Sequence, residues 1–387
     1  MRDQPLEELE GLSAFCARLS RKPDLEAPEL LAYDAADELL LQTAAAEIRA
    51  LGPGELVVIG DRHGALALGA AALLGARGIR VHQDPLLGER ALARNAERLG
   101  IRSEVSWHPL GSGLLKGARV VLMQLPRGLD ALDEIAAAVA RSADPAVRVF
   151  AGGRVKHMTR AMNDVLGRHF SSVSAGLGRR KSRVLTASGP LPSTSAPFPR
   201  WGADPDLAFR VAAFGATFGG ATLDHGSRLL LAGLDGPAGV PTGARRIVDL
   251  GCGNGVLAVS AALARPAAAV IATDQSAAAV AATRLTAEAA GVADRVAVHR
   301  ADALEAVPDG WAELILLNPP FHTGATVHAG VAHRLIRACS RALAPGGELR
   351  LVFNSHLRYR PLVEREIGPV REIARNRTFT VLAATAR

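Results

Sequence analysis

The sequence predicts an α/β protein built as two tandem domains, each a mostly parallel sheet with helices on both faces and an antiparallel hairpin at one edge. Three observations predict it. A chain of 387 residues exceeds one ordinary core and fits two domains. Short apolar runs ending in turn residues alternate with longer Ala/Leu-rich stretches of helical spacing, the pattern of parallel strands joined by helices. The pattern also repeats: Val57 to Leu68, VVIGDRHGALAL, aligns without gaps on Val248 to Val259, VDLGCGNGVLAV, at an offset of 191 residues.

Taken in order, ELVVIGD, GIRVHQD, ARVVLMQ and AVRVFAG are the strand candidates of the first half. Residues 188–206 carry five prolines among small polar residues without apolar periodicity, which predicts a linker. The expected domains are therefore 1–190 and 207–387, joined by 191–206. In the second half ARRIVDL, AAVIATD, VAVHRAD, AELILLN and GELRLVFN are strands, and the tail PVREIARNRTFTVLAATAR is two strands joined by a short turn, the edge hairpin.

The aligned copies differ where chemistry would need sameness. Val58 stands opposite Asp249, Arg62 opposite Gly253, and Gln124-Leu125-Pro126 opposite Asn318-Pro319-Pro320, while Asp84 falls opposite Asp274. The first half is expected to be a degenerate copy that has lost catalysis.

Composition narrows the function classes. With 49% hydrophobic and 21% charged residues the chain can build large cores and is not a disordered segment. Its most apolar uncharged runs, 63–76 and 250–264, are too short to cross a bilayer, and Met1 to Ser20 carries acids where a signal peptide needs an apolar stretch. A cytoplasmic, monomeric protein is expected, without a membrane. Cys16, Cys252 and Cys339 are far apart and lack CxxC spacing, so neither a disulfide frame nor a metal site is indicated. Charge is unevenly spread: residues 1–60 hold five Arg/Lys against twelve Asp/Glu, whereas 148–183 hold nine Arg/Lys against Asp164 alone. Such a basic patch suits a polyanion, because each neutralised phosphate releases counterions. Arg154, Lys156, Arg179, Arg180, Lys181 and Arg183 are its candidate RNA-binding residues.

Asp249-Leu-Gly-Cys-Gly-Asn-Gly255 closes a strand and opens a helix. Its glycines, Gly251, Gly253 and Gly255, permit a tight turn beside Asn254 and let backbone approach a ligand that a Cβ would exclude. Asp249 ahead of the turn would repel a pyrophosphate and face a cationic or amine-bearing group. Asp274 ends the second strand, where it could accept from ribose hydroxyls, and Asp302 follows the third, near an adenine edge. A nucleoside without phosphate is implied, and S-adenosylmethionine fits.

Asn318-Pro319-Pro320-Phe321 lies at the end of the fourth strand, on the same rim. An exocyclic amine on a nucleobase is a poor nucleophile, because its lone pair is delocalised into the ring. The Asn318 side-chain oxygen and the Pro319 carbonyl could hold its two N–H bonds and aim the lone pair at a methyl group. The prolines stiffen the turn, and Phe321 offers a stacking face. His322 reads as a packing residue rather than a base. A duplex would hide the amine, so the base must be flipped or unpaired.

These residues resemble the bacterial tandem-domain ribosomal RNA guanine-N2 methyltransferases, and the resemblance covers nearly the whole chain. It rests on Asp224-His-Gly-Ser-Arg-Leu-Leu-Leu231, the VDLGCGNGV turn, the NPPFH segment with Gly324, and the GGELRLVFN strand. It implies two tandem Rossmann-like class I methyltransferase domains, N2-methylguanosine as product, ribosomal RNA or a ribosomal subunit as partner, and a first domain that positions RNA. By motif match Phe218, Asp224 and Gly226 would lie near the methionine end of the cofactor. GRRKSRVLTAS is similar to the last N-domain strand of the large-subunit branch. Other amine methyltransferases of this fold, acting on a protein glutamine amide or DNA adenine, also use Asn-Pro-Pro plus an aromatic. A non-catalytic RNA-binding scaffold would not need an intact Asp249, Asp274 and Asn318, and nothing here resembles a hydride-transfer site.

Overall fold

The computed structural model describes residues 9–192, 195–235, 243–319 and 325–387. The chain divides into two compact units, Met1–Phe198 and Pro199–Arg387. The first holds β1 (Leu56–Ile59), β2 (Ile79–His82), β3 (Val105–Trp107), β4 (Val120–Gln124), β5 (Arg148–Arg154), β6 (Phe170–Ala175) and β7 (Ser182–Pro190), in the sheet order β3-β2-β1-β4-β5-β7-β6. The first five run parallel, and β7 returns antiparallel to β5 with β6 at the edge.

The second unit begins with an antiparallel ribbon, β8 (Arg200–Gly202) and β9 (Val211–Ala213). Its main sheet holds β10 (Arg246–Leu250), β11 (Ala269–Asp274), β12 (Val296–Arg300), β13 (Ala312–Leu317), β14 (Leu343–Asn354), β15 (Val370–Arg375) and β16 (Phe379–Thr385), in the order β12-β11-β10-β13-β14-β16-β15. Corresponding strands occupy the same slot in both sheets. The duplication seen in one aligned stretch of sequence therefore extends across the whole architecture.

Each sheet is buried on both faces, which is why its central strands read as continuous apolar blocks rather than alternations. Leu56 and Val58 enter one core and Val57 and Ile59 the other; Leu314 and Leu316 are divided from Ile315 and Leu317 in the same way. In the first unit helices Ala35–Arg49 and Ala65–Leu74 cover one face, and Leu129–Ser142 with Ala161–Gly167 the other. In the second, Val256–Ala264 and the Ala325–Ala342 helix lie on opposite faces. Strand order reverses between β10 and β13, which opens a crevice at their carboxyl ends.

Two expectations need amendment. The segment 191–206 is not all linker: β8 pairs with β9, and a Cβ on Gly202 would stand 1.9 Å from the Ala221 carbonyl oxygen, so this stretch packs into the second unit. β8 is only three residues long and lies between Pro199 and Pro205, which hides it in the sequence. Nor do β3 and β6 stand out as apolar runs, because β3 has three residues and β6 buries Phe170 while leaving its neighbours largely exposed.

The β6–β7 connection closes on a tight turn. Arg179 and Ser182 exchange backbone hydrogen bonds of 2.8 Å around Arg180 and Lys181, whose φ values are 46° and 60°. Two consecutive left-handed residues suit Asn-Gly and strain longer side chains. Replacing Arg180-Lys181 by Asn-Gly is expected to stabilise the protein by about 0.5–2 kcal/mol, less the small contribution of an exposed ion pair. Denaturant titration checks this, and a destabilised variant would contradict the strain.

Candidate active site

The turn between β10 and helix Val256–Ala264 places Gly251, Gly253 and Gly255 at φ 79°, 55° and 83°. Gly255 answers to internal packing, because a Cβ there would meet the Thr283 backbone at 2.9 Å. Gly251 and Gly253 instead face open space, with nothing within 4 Å of an added Cβ, so they leave a bare floor. Asn254 spends its amide hydrogens on the carbonyls of Gly220 (2.9 Å) and Thr222 (2.8 Å), which ties the turn to the segment that carries the half-exposed Phe218. The Thr283 hydroxyl donates to the Gly253 carbonyl at 3.1 Å and holds the turn from behind.

Asp249 is fully buried. Its Oδ2 accepts from the Ala258 N–H at 2.9 Å, while its Oδ1, equally buried, has no partner. Burial first, and then the negative charges of Asp274 and Asp224, push its pKa up to about 7. A buried acceptor without a donor calls for a ligand N–H or a cation. Asp274 braces the glycine turn, its Oδ2 accepting from Gly253 N at 3.1 Å and its Oδ1 from Ser276 N at 2.9 Å. Asp302 is matched by Arg334 at 3.2 Å on the Ala325–Ala342 helix. Asp224, Asp249 and Asp274 thus make one acidic rim on which S-adenosylmethionine, a sulfonium with an amine, fits by charge.

Asn318 follows the last residue of β13. Its Nδ2 donates to Asp224 Oδ1 and to Ser227 Oγ, both at 3.1 Å. Asp224 caps the His225–Asp235 helix, accepting from Gly226 N at 2.9 Å and Ser227 N at 3.1 Å. Gly226 suits the close approach, since an added Cβ would lie 3.3 Å from both ends of the Asn318 amide and the amide would have to give way. The amide nitrogen is held toward the helix cap, which leaves the oxygen to accept from a substrate. Ser227 was not singled out in the sequence; its signal is its place three residues after the capping Asp224. Pro319 is buried beside it. Pro320 and Phe321, with His322 and Gly324, lie outside the described residues.

The first unit keeps the frame but ties its turn with internal hydrogen bonds. Asp34 caps helix Ala35–Arg49 by accepting from Ala36 N at 2.7 Å, and Gln124 at the end of β4 donates its side-chain amide to Asp37, at the position corresponding to Ser227. At the turn, Asp61 uses one oxygen on Gly64 N (3.1 Å) and the other on Ala67 N (2.7 Å). The Asn95 amide donates to the His63 carbonyl at 2.8 Å, and the Gln83 amide to the Asp61 carbonyl. Arg62 stands where the second copy has Gly253.

Of the RNA-binding candidates, Arg179, Arg180 and Lys181 form the strained turn, Arg183 lies exposed on β7, and Arg154 and Lys156 follow at the end of β5. The patch is partly neutralised, a correction to the sequence reading. Arg180 pairs with Glu38 at 2.8 Å and Arg148 with Glu47, because the acidic N-terminal helix folds against these strands. Among the described residues no His/Cys/Asp/Glu group could hold a metal ion, and no helix is long and apolar enough to cross a membrane.

Comparison with known proteins agrees with this geometry. Residues 208–383 match the methyltransferase small domain family, and residues 12–190 match the RLMG N-terminal domain family. The ribosomal RNA large subunit methyltransferase G of Pseudomonas entomophila is 34% identical over 369 residues, 95% of this chain and 96% of the relative. The protein of that name from Streptomyces coelicolor is 33% identical over 375 residues, 95% of this chain and 97% of the relative. Among solved structures, the T. thermophilus 16S rRNA N2 methyltransferase in complex with AdoMet and guanosine shares the fold, with a TM-score of 0.73 at 22% identity over 95% of this chain and 100% of that one.

The raised Asp249 pKa carries a stability consequence. Folding lifts it from 3.8 to about 7, so the carboxyl favours the folded state fully only below 3.8, and that contribution is lost as pH rises through 7. Asp249→Asn is therefore expected to stabilise the ligand-free protein at pH 8 by roughly 1–3 kcal/mol, with the gain vanishing in acid. Urea titrations at the two pH values check the sign, and a gain independent of pH would rule the linkage out.

Proposed function

The chain belongs to the ribosomal RNA large subunit methyltransferase G family, and from that premise we propose that its second unit methylates the exocyclic N2 of a guanine in large-subunit ribosomal RNA, giving N2-methylguanosine. S-adenosylmethionine supplies an electrophilic methyl carbon on its sulfonium.

In this reading Gly251, Gly253, Asn254 and Gly255 form the floor under the nucleoside. Asp249 offers its unpartnered Oδ1 to the cationic end. Asp274 takes the ribose hydroxyls and Asp302, fixed by Arg334, the adenine edge. Phe218, Asp224 and Gly226 border the methionine end. The observation that carries the proposal is the clamped amide of Asn318: with Nδ2 committed to Asp224 and Ser227, Oδ1 is the end that accepts an N–H bond from the guanine. The Pro319 carbonyl accepts the other, and Pro320 and Phe321 stiffen the turn and stack on the base. Two acceptors favour a pyramidal nitrogen whose lone pair faces the methyl group. With both acceptors in place the surplus N2 proton would leave to water as the methyl group is transferred, so no strong base is required of the chain. The guanine enters unpaired, and Arg154, Lys156, Arg179, Arg180, Lys181 and Arg183 hold the RNA backbone from the first unit.

Methyl transfer to large-subunit ribosomal RNA, small-subunit ribosomal RNA, DNA and bulk protein, measured in parallel, tests the assignment. Label on N2-methylguanosine of large-subunit RNA is expected, and transfer only to DNA or protein would refute it. Asn318→Ala is expected to lower kcat at least about 100-fold, and Ser227→Ala about 10-fold by letting the amide turn, both with the cofactor Kd nearly unchanged. Loss of cofactor binding in either variant would remove the clamp from the reaction. Because a bound cation favours ionised Asp249, cofactor binding near pH 7 is also expected to release a proton, visible by calorimetry in buffers of different ionisation enthalpy and absent in Asp249→Asn.

A further inference from the structure

The crevice at the carboxyl ends of β4 and β5 encloses a cavity of about 390 Å³ within the first unit. It stands in the duplicated fold where the second unit carries Asn318 and Pro319, but its charge is reversed. Arg62, Arg127, Arg154 and Lys156 line it, and among the described residues none of the four is ion-paired. The carboxylates present are Glu29 and Asp34, and Asp34 has one oxygen on the Ala36 N–H at 2.7 Å. Arg154 adds a sharper mark: its Nε is buried and has no hydrogen-bond partner. His157, also in the lining, is held below its ordinary pKa by partial desolvation and then by the surrounding Arg127, Lys156, Arg62 and Arg154 cations.

An unpaired guanidinium N–H beside three further cations is a binding site for a tetrahedral oxyanion, since the planar fork of Arg matches phosphate oxygens two at a time. A sulfonium ligand is excluded by the same charges, and Arg62 occupies the position of Gly253, the bare floor of the other copy. The crevice of the first unit therefore keeps Asp34, the counterpart of Asp224, but surrounds it with four cations, a lining that suits an anion.

We infer that this crevice of the first unit binds a backbone phosphodiester of the RNA substrate, an inference that rests on the function proposed above. It gives the degenerate copy a defined contact rather than a diffuse positive face. Because Arg62 and Arg127 are exposed at the mouth, their removal should not disturb the core.

The test uses the full-length protein and its Arg62→Ser/Arg127→Ser variant, with a triple variant adding Arg154→Gln. Affinity for a large-subunit ribosomal RNA fragment is measured across a salt series, with calorimetry for S-adenosylmethionine and competition by inorganic phosphate and guanosine monophosphate. The double variant is expected to lose about 10-fold or more in RNA affinity at low salt and to show a salt slope smaller by about 1 to 2. The triple variant should lose more, with melting behaviour and cofactor affinity unchanged in both. Variants that match a methylating wild type in RNA affinity and salt slope overturn the pocket alone. A wild type that neither binds nor methylates ribosomal RNA overturns the proposed function along with it. Micromolar binding of free phosphate or guanosine monophosphate, abolished in the double variant while RNA affinity is untouched, assigns the crevice to a small anion and overturns the RNA contact.

Discussion

The second unit is organised around a carboxylate that its own fold leaves half satisfied. Asp249 is buried in the central strand, one oxygen anchors the first turn of the following helix, and the other faces no donor. Burying such a group costs free energy that a ligand cation or N–H recovers, so the ligand-free site is poised rather than relaxed. Asp224 and Asp274 lie close enough to raise the Asp249 pKa further, although each has backbone N–H donors of its own. The glycines keep the floor open above this charge. A neutral or anionic ligand would leave the rim uncompensated; a sulfonium does not.

The first unit shows what happens when that constraint is lifted. Ala67 and Ala258 correspond in the duplicated fold, and both backbone amides donate to a carboxylate, yet the acids come from different places. In the second unit the acid reaches from the strand, and in the first it is Asp61, within the turn itself, with both oxygens used. The helix is anchored equally well, but neither oxygen of the acid is left without a donor, and Val58 stands where Asp249 would. Structural and ligand-binding roles of one acid have thus been separated by moving it three positions along the chain.

Much of this was legible in the sequence because it is carried by strand ends. The apolar blocks, the glycine turn and the Asp274 and Asn318 positions follow from the rule that parallel sheets present their ligands at carboxyl edges. What escaped depended on contacts between distant segments. Asp302 reads as a free acid until Arg334 is folded beside it. The basic run from Arg148 to Arg183 reads as a uniform face until Glu38 and Glu47 are laid against it. Ser227 has no motif of its own and gains meaning only because the His225–Asp235 helix begins beside β13.

The amide clamp occurs in both units, so the clamp by itself is not the chemistry. Gln124 donates to Asp37 in the first, as Asn318 does to Ser227 in the second. The two partners differ in charge. Asp37, fully buried, has its pKa pushed to about 7 by burial and by Asp34 and Asp61. In the second unit Asp224, Asp249 and Asp274 already crowd the rim, and a fourth acid at position 227 would add repulsion beside the buried Asp249. A serine hydroxyl accepts the same amide hydrogen without charge. It holds Asn318 in place while leaving the electrostatics of the rim to the three acids that face the cofactor in the proposed reaction.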